Sequence, residues 1–215
     1  MMNSAYREPG AKESGAGWIF WLKWVVGSTV AWIAVFMLTF LTIGMMVETF
    51  WGDPETVLGE EAFAVALTAV FTLSFTASGG VQWLLLRRRF ERIGGWVLAS
   101  GVGGLLVGIL YFALMGVVSE TASEIIHNGL AGVVVGLLQW RILRRQVARA
   151  HLWIVAATVA FVMAGGGAAI ISTLTGMDSG TSSIFGVLAM SALTGSMMVW
   201  LLRQPPRPEF VAPAS

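Results

Sequence analysis

Six stretches of this chain are apolar over the length a bilayer requires, and none carries a charge near its middle. They fall at about 20–47, 62–86, 95–118, 125–143, 152–174 and 183–202. A helix needs about 20 mostly apolar residues to cross the hydrocarbon core of a membrane. The expected fold class is therefore an all-α membrane protein with six transmembrane helices. A soluble fold is excluded by the balance of side chains: 56% are apolar and 12% charged, against a usual charged share of about 25%. No cysteine is present, which removes disulfides, thiol catalysis and cysteine-ligated metal centres.

The chain divides into a disordered N-terminal tail at 1–17, a membrane domain at 18–203 and a disordered, proline-rich tail at 204–215 that could dock a soluble partner. The first apolar run exceeds a signal-peptide core in length, so an uncleaved signal anchor is expected.

Charge sign fixes the expected direction. All thirteen basic residues fall on one side, for a net +9, while Glu48, Asp53, Glu55, Glu60, Glu61, Glu120, Glu124 and Asp178 give −8 on the other. Basic residues flanking spans are held in the cytoplasm. Both termini are thus expected to be cytoplasmic, in the inner membrane of a bacterium.

A block then repeats. "QWLLLRRRF" at 82–90 returns 57 positions later as "QWRILRRQV" at 139–147. Spans one, three and five open on Trp24, Trp96 and Trp153; spans two, four and six close near Trp83, Trp140 and Trp200. The chain reads as three tandem helical hairpins in parallel orientation, at about 18–87, 95–143 and 152–203. The third copy, "VWLLRQ", lacks the glutamine. Indole rings favour the headgroup level, and arginines beyond them meet lipid phosphates. Trp24, Trp83, Arg87, Arg88, Trp96, Trp140, Arg144, Arg145, Trp153 and Trp200 are accordingly expected to be membrane-interface anchors. Gln82 and Gln139, one residue deeper, are placed to bond a neighbouring helix.

The stretches "GGVQWLLLRRRFERIGGWVLAS" (79–100) and "GLLQWRILRRQVARAHLWIVAA" (136–157) resemble those of a group of uncharacterised bacterial multi-span proteins in which this unit recurs between helices. The resemblance covers spans two to five and implies architecture, with no activity attached. Mitochondrial-type carriers are similar in having three two-span repeats, but their Pro-x-Asp/Glu-x-x-Lys/Arg signature is absent.

In lipid, close helix approach depends on small residues at four-residue spacing. Gly104 and Gly108 in span three, Gly132 and Gly136 in span four, and Ala156, Ala160, Ala164 and Ala168 in span five fit this pattern. Spans three, four and five are expected to form the tightest seam.

Catalysis needs titratable groups gathered in one pocket, and this chain offers two histidines with carboxylates mainly at the outer face. His127 and His151 lie about 24 Å apart in depth, since 16 helical residues separate 127 from 143. One haem cannot use both as axial ligands; either alone is a candidate ligand for a pigment metal or a quinone head. Glu124, His127 and Asn128 share a helix face and form a candidate divalent-cation site, although Thr121 and Glu124 also fit a capping box. In loop 48–61, Asp53 is placed to cap a short surface helix that begins at Pro54. Hydroxyls on span two, among them Thr68, Thr72, Ser74, Thr76 and Ser78, either bond the preceding turn or line a polar cavity.

No cofactor is predicted, with pigment, haem and quinone left open. The expected partners are the lipid bilayer and a membrane protein or a second copy, with no nucleic acid. The expected function is a non-catalytic structural or accessory subunit of a larger membrane complex. The alternative is a binding or transport protein for a small, mostly apolar molecule.

Overall fold

A backbone in lipid must satisfy every N–H and C=O internally, which apolar segments achieve by winding into helices. The computed structural model describes residues 14–50, 59–90, 92–114 and 120–204. It contains six long helices: α1 (Ser14–Phe50), α2 (Glu60–Leu86), α3 (Trp96–Leu114), α4 (Glu120–Leu143), α5 (Leu152–Thr175) and α6 (Ser179–Leu202). Among the described residues there is no β-strand. Each helix contains a stretch long and apolar enough to cross a membrane, so the chain fits a multi-pass protein in a lipid bilayer.

Helix α1 extends past its expected bounds at both ends. It begins inside the stretch read as a tail, and its 37 residues would span about 55 Å against a hydrocarbon core near 30 Å. The internal bonding that lets a helix cross lipid also lets it continue into the polar layers. Its candidate span is Gly17–Thr39. The capping reading of Asp53 lies outside the described residues, as do the side chains of Thr121 and Glu124 on which the capping box depends.

The helices form a closed ring. Each packs against its chain neighbours, and α6 returns to α1. Neighbours run in opposite directions: a Cβ on Gly104 would meet Phe71 and Thr72, and one on Gly108 would meet Thr68. Likewise Gly132 faces Thr158, and Gly136 faces Ile154. The glycines of span three therefore seat α3 on α2, and those of span four seat α4 on α5. The seam expected across spans three, four and five is divided accordingly. The α3–α4 contact uses Gly103, which lies under Val135. On α5, Ala157, Ala160 and Ala168 are buried, while Ala156 and Ala164 are only partly so.

The outward surface, unlike that of a water-soluble bundle, is apolar, and several polar side chains are turned inside. Leu174, Leu98 and Val65 point outward at 80%, 71% and 70% exposure, while Ser28, Ser78, Ser100, Gln139, Ser191 and Thr194 are buried inside. Apolar side chains lose nothing by facing lipid, whereas polar ones need hydrogen-bond partners.

Two local signals set the α5–α6 turn. Gly176 ends α5 in the left-handed conformation (φ 69°), its N–H bonding the Ser172 carbonyl, as at many helix ends. Asp178 then caps α6, accepting from the Thr181 N–H at 2.9 Å and from the Thr181 hydroxyl at 2.6 Å.

Candidate functional site along the ring axis

Trp24, Trp96 and Trp153, from α1, α3 and the start of α5, converge on the axis. Trp153 meets Trp24 edge-on at 6.2 Å and Trp96 at 5.8 Å between ring centroids. The three are 0%, 0% and 1% exposed. The expectation that they anchor at the headgroups does not hold, because a ring sealed inside protein touches no lipid. Their N–H groups instead bond inward.

Two of these bonds are built alike. Trp96 Nε1 donates to Gln82 Oε1 at 3.1 Å, and Gln82 Nε2 donates to Ser28 at 3.3 Å and Ser78 at 3.4 Å. Trp153 Nε1 donates to Gln139 Oε1 at 2.9 Å, and Gln139 Nε2 donates to Ser100 at 3.0 Å. In each case a carboxamide on an even-numbered helix ties the preceding helix to the following one. Ser28 and Ser100 each stand four residues after a central tryptophan.

The third tryptophan departs from this scheme. Trp24 Nε1 donates to Thr194 Oγ1 at 3.2 Å. Thr194 lies three residues after Ser191, as Gln82 follows Gly79 and Gln139 follows Gly136; four residues further on, Met198, Leu86 and Leu143 are all fully buried. The position on α6 that answers the glutamines is therefore Thr194. Aligning on Trp200, as the sequence invites, places it five residues too late. The signal that was available is the small residue three places before the polar one.

Below the tryptophans a small cavity of about 40 Å³ lies on the axis, its wall mostly apolar but carrying Ser28, Ser78, Gln82, Ser100, Gln139 and Ser191. Trp32, Phe75 and Phe161 close its other side: Phe75 stacks on Phe161 at 5.5 Å and meets Trp32 edge-on at 5.3 Å. Beyond that layer is a second cavity of about 150 Å³, bordered by Phe71, Val107, His127, Asn128, Ser183 and Met190. His127 is buried, with Nε2 3.2 Å from the Val107 carbonyl oxygen. A carbonyl only accepts, so Nε2 is the donor in this contact. Tyr111 and Phe71 stand edge-on to the imidazole at 5.2 and 6.2 Å.

The remaining candidates are scattered. His151 is exposed just before α5 and makes no side-chain cap. Among the described residues no cluster of three metal-ligating side chains exists; the side chain of Glu124, the other half of the candidate cation site, lies outside them. Thr72 and Thr76 bond the carbonyls of Thr68 and Thr72. Thr68 and Thr72 also border an outward-facing apolar groove between α2 and α3, whereas Ser78 lines the axial cavity.

At the tryptophan end of the ring, arginines stack on the partly buried rings that remain. Arg87 lies 4.9 Å from Trp83, Arg144 5.1 Å from Trp140, and Arg149 6.0 Å from Trp200. Ile93, Val147 and Ala150 fold under the ring from the two connecting segments and are buried. No family model matches the chain, and no curated protein or solved structure matches it.

Proposed function

We propose that the chain is a non-catalytic multi-pass protein of the bacterial inner membrane, a packed module serving as a structural or accessory subunit of a larger membrane complex. One observation carries this reading: side chains close the ring axis at two levels, Trp24, Trp96 and Trp153 at one and Trp32, Phe75 and Phe161 at another. A conduit needs a continuous polar or open path, and two aromatic layers interrupt it here. Coupled transport commonly uses ionisable groups within the membrane; the described axis carries only His127.

The same reading makes the ring three tandem hairpins of one orientation. Its support is the recurrence of bonds at 57-residue spacing. Arg87 N–H to Trp83 C=O is matched by Arg144 to Trp140, and Trp96 N–H to Ile93 C=O by Trp153 to Ala150. Arginines gather at the end where α1 starts and α6 finishes, which supports cytoplasmic termini.

The test is gentle purification from the native membrane, with mass spectrometry and an absorbance spectrum of the intact particle. Stoichiometric co-purifying subunits are expected. A lone, colourless, monodisperse protein overturns the accessory-subunit reading.

A second reading is binding of a small, mostly apolar molecule, favoured by the 150 Å³ cavity beside His127. An apolar cavity of about this volume holds a benzene-sized guest. Saturable binding of such a guest, weakened by His127→Phe, supports it.

A further inference from the structure

Ser191 is 1% exposed, lines the axial cavity, and its hydroxyl meets no partner in the protein. It stands where α6 faces α1: a Cβ on Gly195 would touch Trp24, and one turn along each helix Ser191 and Ser28 both reach the cavity. A hydroxyl offers one donor and two acceptor sites, and burying it unsatisfied is costly. Around it are the hydroxyls of Ser28 and Ser78 and the carboxamides of Gln82 and Gln139. Gln139 donates one N–H to Ser100, and a carboxamide carries two.

The shape of this site follows from the third tryptophan. Where Gln82 and Gln139 each span two helices, Thr194 is too short to do so. The residue it would reach, four after Trp153, is Ala157, which has no side-chain oxygen. Both Thr194 and Ala157 line the cavity. The lining carries no charged group, so an ion here would lose its hydration without compensation. A water needs at least about 10–15 Å³ of such volume, which gives about 40 Å³ room for two or three.

We propose that this cavity is a binding site for a small cluster of ordered water molecules, held by Ser191 and bridging the Gln82–Ser28–Ser78 set to the Gln139–Ser100 set. Water takes the place of the third carboxamide that would complete the ring. The ligand class is neutral, hydrogen-bonding and no larger than a few heavy atoms.

Millisecond hydroxyl-radical labelling, which marks side chains beside bound water, tests this on the full chain in nanodiscs. Trp153 lines the cavity at 1% exposure, whereas Trp24, at 0%, is as deeply buried without lining it. Trp153 is expected to oxidise several-fold faster than Trp24. Ser191→Val should abolish the excess, and Ser191→Ala, which removes only the hydroxyl, should reduce it. Equal labelling of the two tryptophans overturns the proposal, since the cavity is then dry. Excess labelling that survives unchanged in Ser191→Ala, the variant least able to disturb folding, also overturns it. Replacing sodium by N-methylglucamine and chloride by gluconate should leave the labelling unaltered; a change would assign the site to an ion and overturn the water assignment.

Discussion

The indole of Trp153 donates to the carboxamide of Gln139 at 2.9 Å, in a layer where both residues are buried. The pair is fourteen residues apart in sequence, and it ties the end of α4 to the start of α5 from the inside. With Gln139 Nε2 turned to Ser100, one side chain holds three helices.

Removing that side chain leaves a buried N–H without a partner, which costs about 1–3 kcal/mol. Hydrogen bonds between membrane helices average about 0.6 kcal/mol, below this range. Gln139→Leu is expected to lower the thermal midpoint in nanodiscs clearly. Gln82→Leu should lower it less, because Gln82 is only partly buried and its bonds are 3.1–3.4 Å long. Equal losses would mean that the geometry does not set the contribution.

Two glycines separate packing from propensity. A Cβ on Gly132 would lie 2.5 Å from Thr158 Cα and 2.9 Å from the Ala157 carbonyl oxygen, both backbone atoms that cannot turn aside. Gly132→Ala should destabilise by about 1–3 kcal/mol through overpacking. Gly80 has nothing within 4 Å of a built Cβ, so Gly80→Ala should instead gain up to about 1 kcal/mol of helix propensity. Paired melting curves check the opposite signs.

Thr194 and Ala157 predict a repair. Thr194→Gln combined with Ala157→Ser supplies the third carboxamide and its hydroxyl partner, as Gln139 and Ser100 supply theirs. The double variant should melt higher than either single change, with a coupling of about 0.5–3 kcal/mol in the double-mutant cycle. Strict additivity would sever the link between the two positions.

Asp178 gives a pH signature at the start of α6. The Thr181 hydroxyl, then the Thr181 N–H, hold its carboxyl below the ordinary value of 3.8, against a small opposing desolvation. A depressed carboxylate contributes stability that is fully present above 3.8 and is lost as pH falls through the folded value. Acid should therefore loosen the α5–α6 turn before the ring opens. Protection factors of the Thr181 and Ser182 amides, corrected for intrinsic exchange, should fall below about pH 4, and Asp178→Asn, which caps without titrating, should flatten that dependence.

Much of the architecture was legible along the chain. Uncharged runs of apolar residues demand helices because lipid offers the backbone no partner, so the number of spans and their approximate limits follow from local composition. The repeated Gln-Trp block could be read for the same reason, since both copies are contiguous in sequence. Even the readiness of Gln82 and Gln139 to bond a neighbour followed from a polar side chain placed one residue deeper than its tryptophan.

The direction in which each side chain faces did not follow. Trp24, Trp96 and Trp153 have the sequence context of interfacial anchors, yet closure of the ring turns them to the axis, where each N–H finds a carboxamide or hydroxyl. Trp83 and Trp140, in equally plausible settings, remain at the periphery beneath arginines. In lipid, both faces of a helix are apolar, so hydrophobic periodicity carries little information about which face is inside. That choice rests on shape and on hydrogen bonds between residues far apart in the chain. Trp24 and Thr194, 170 residues apart, meet only when the last helix packs against the first.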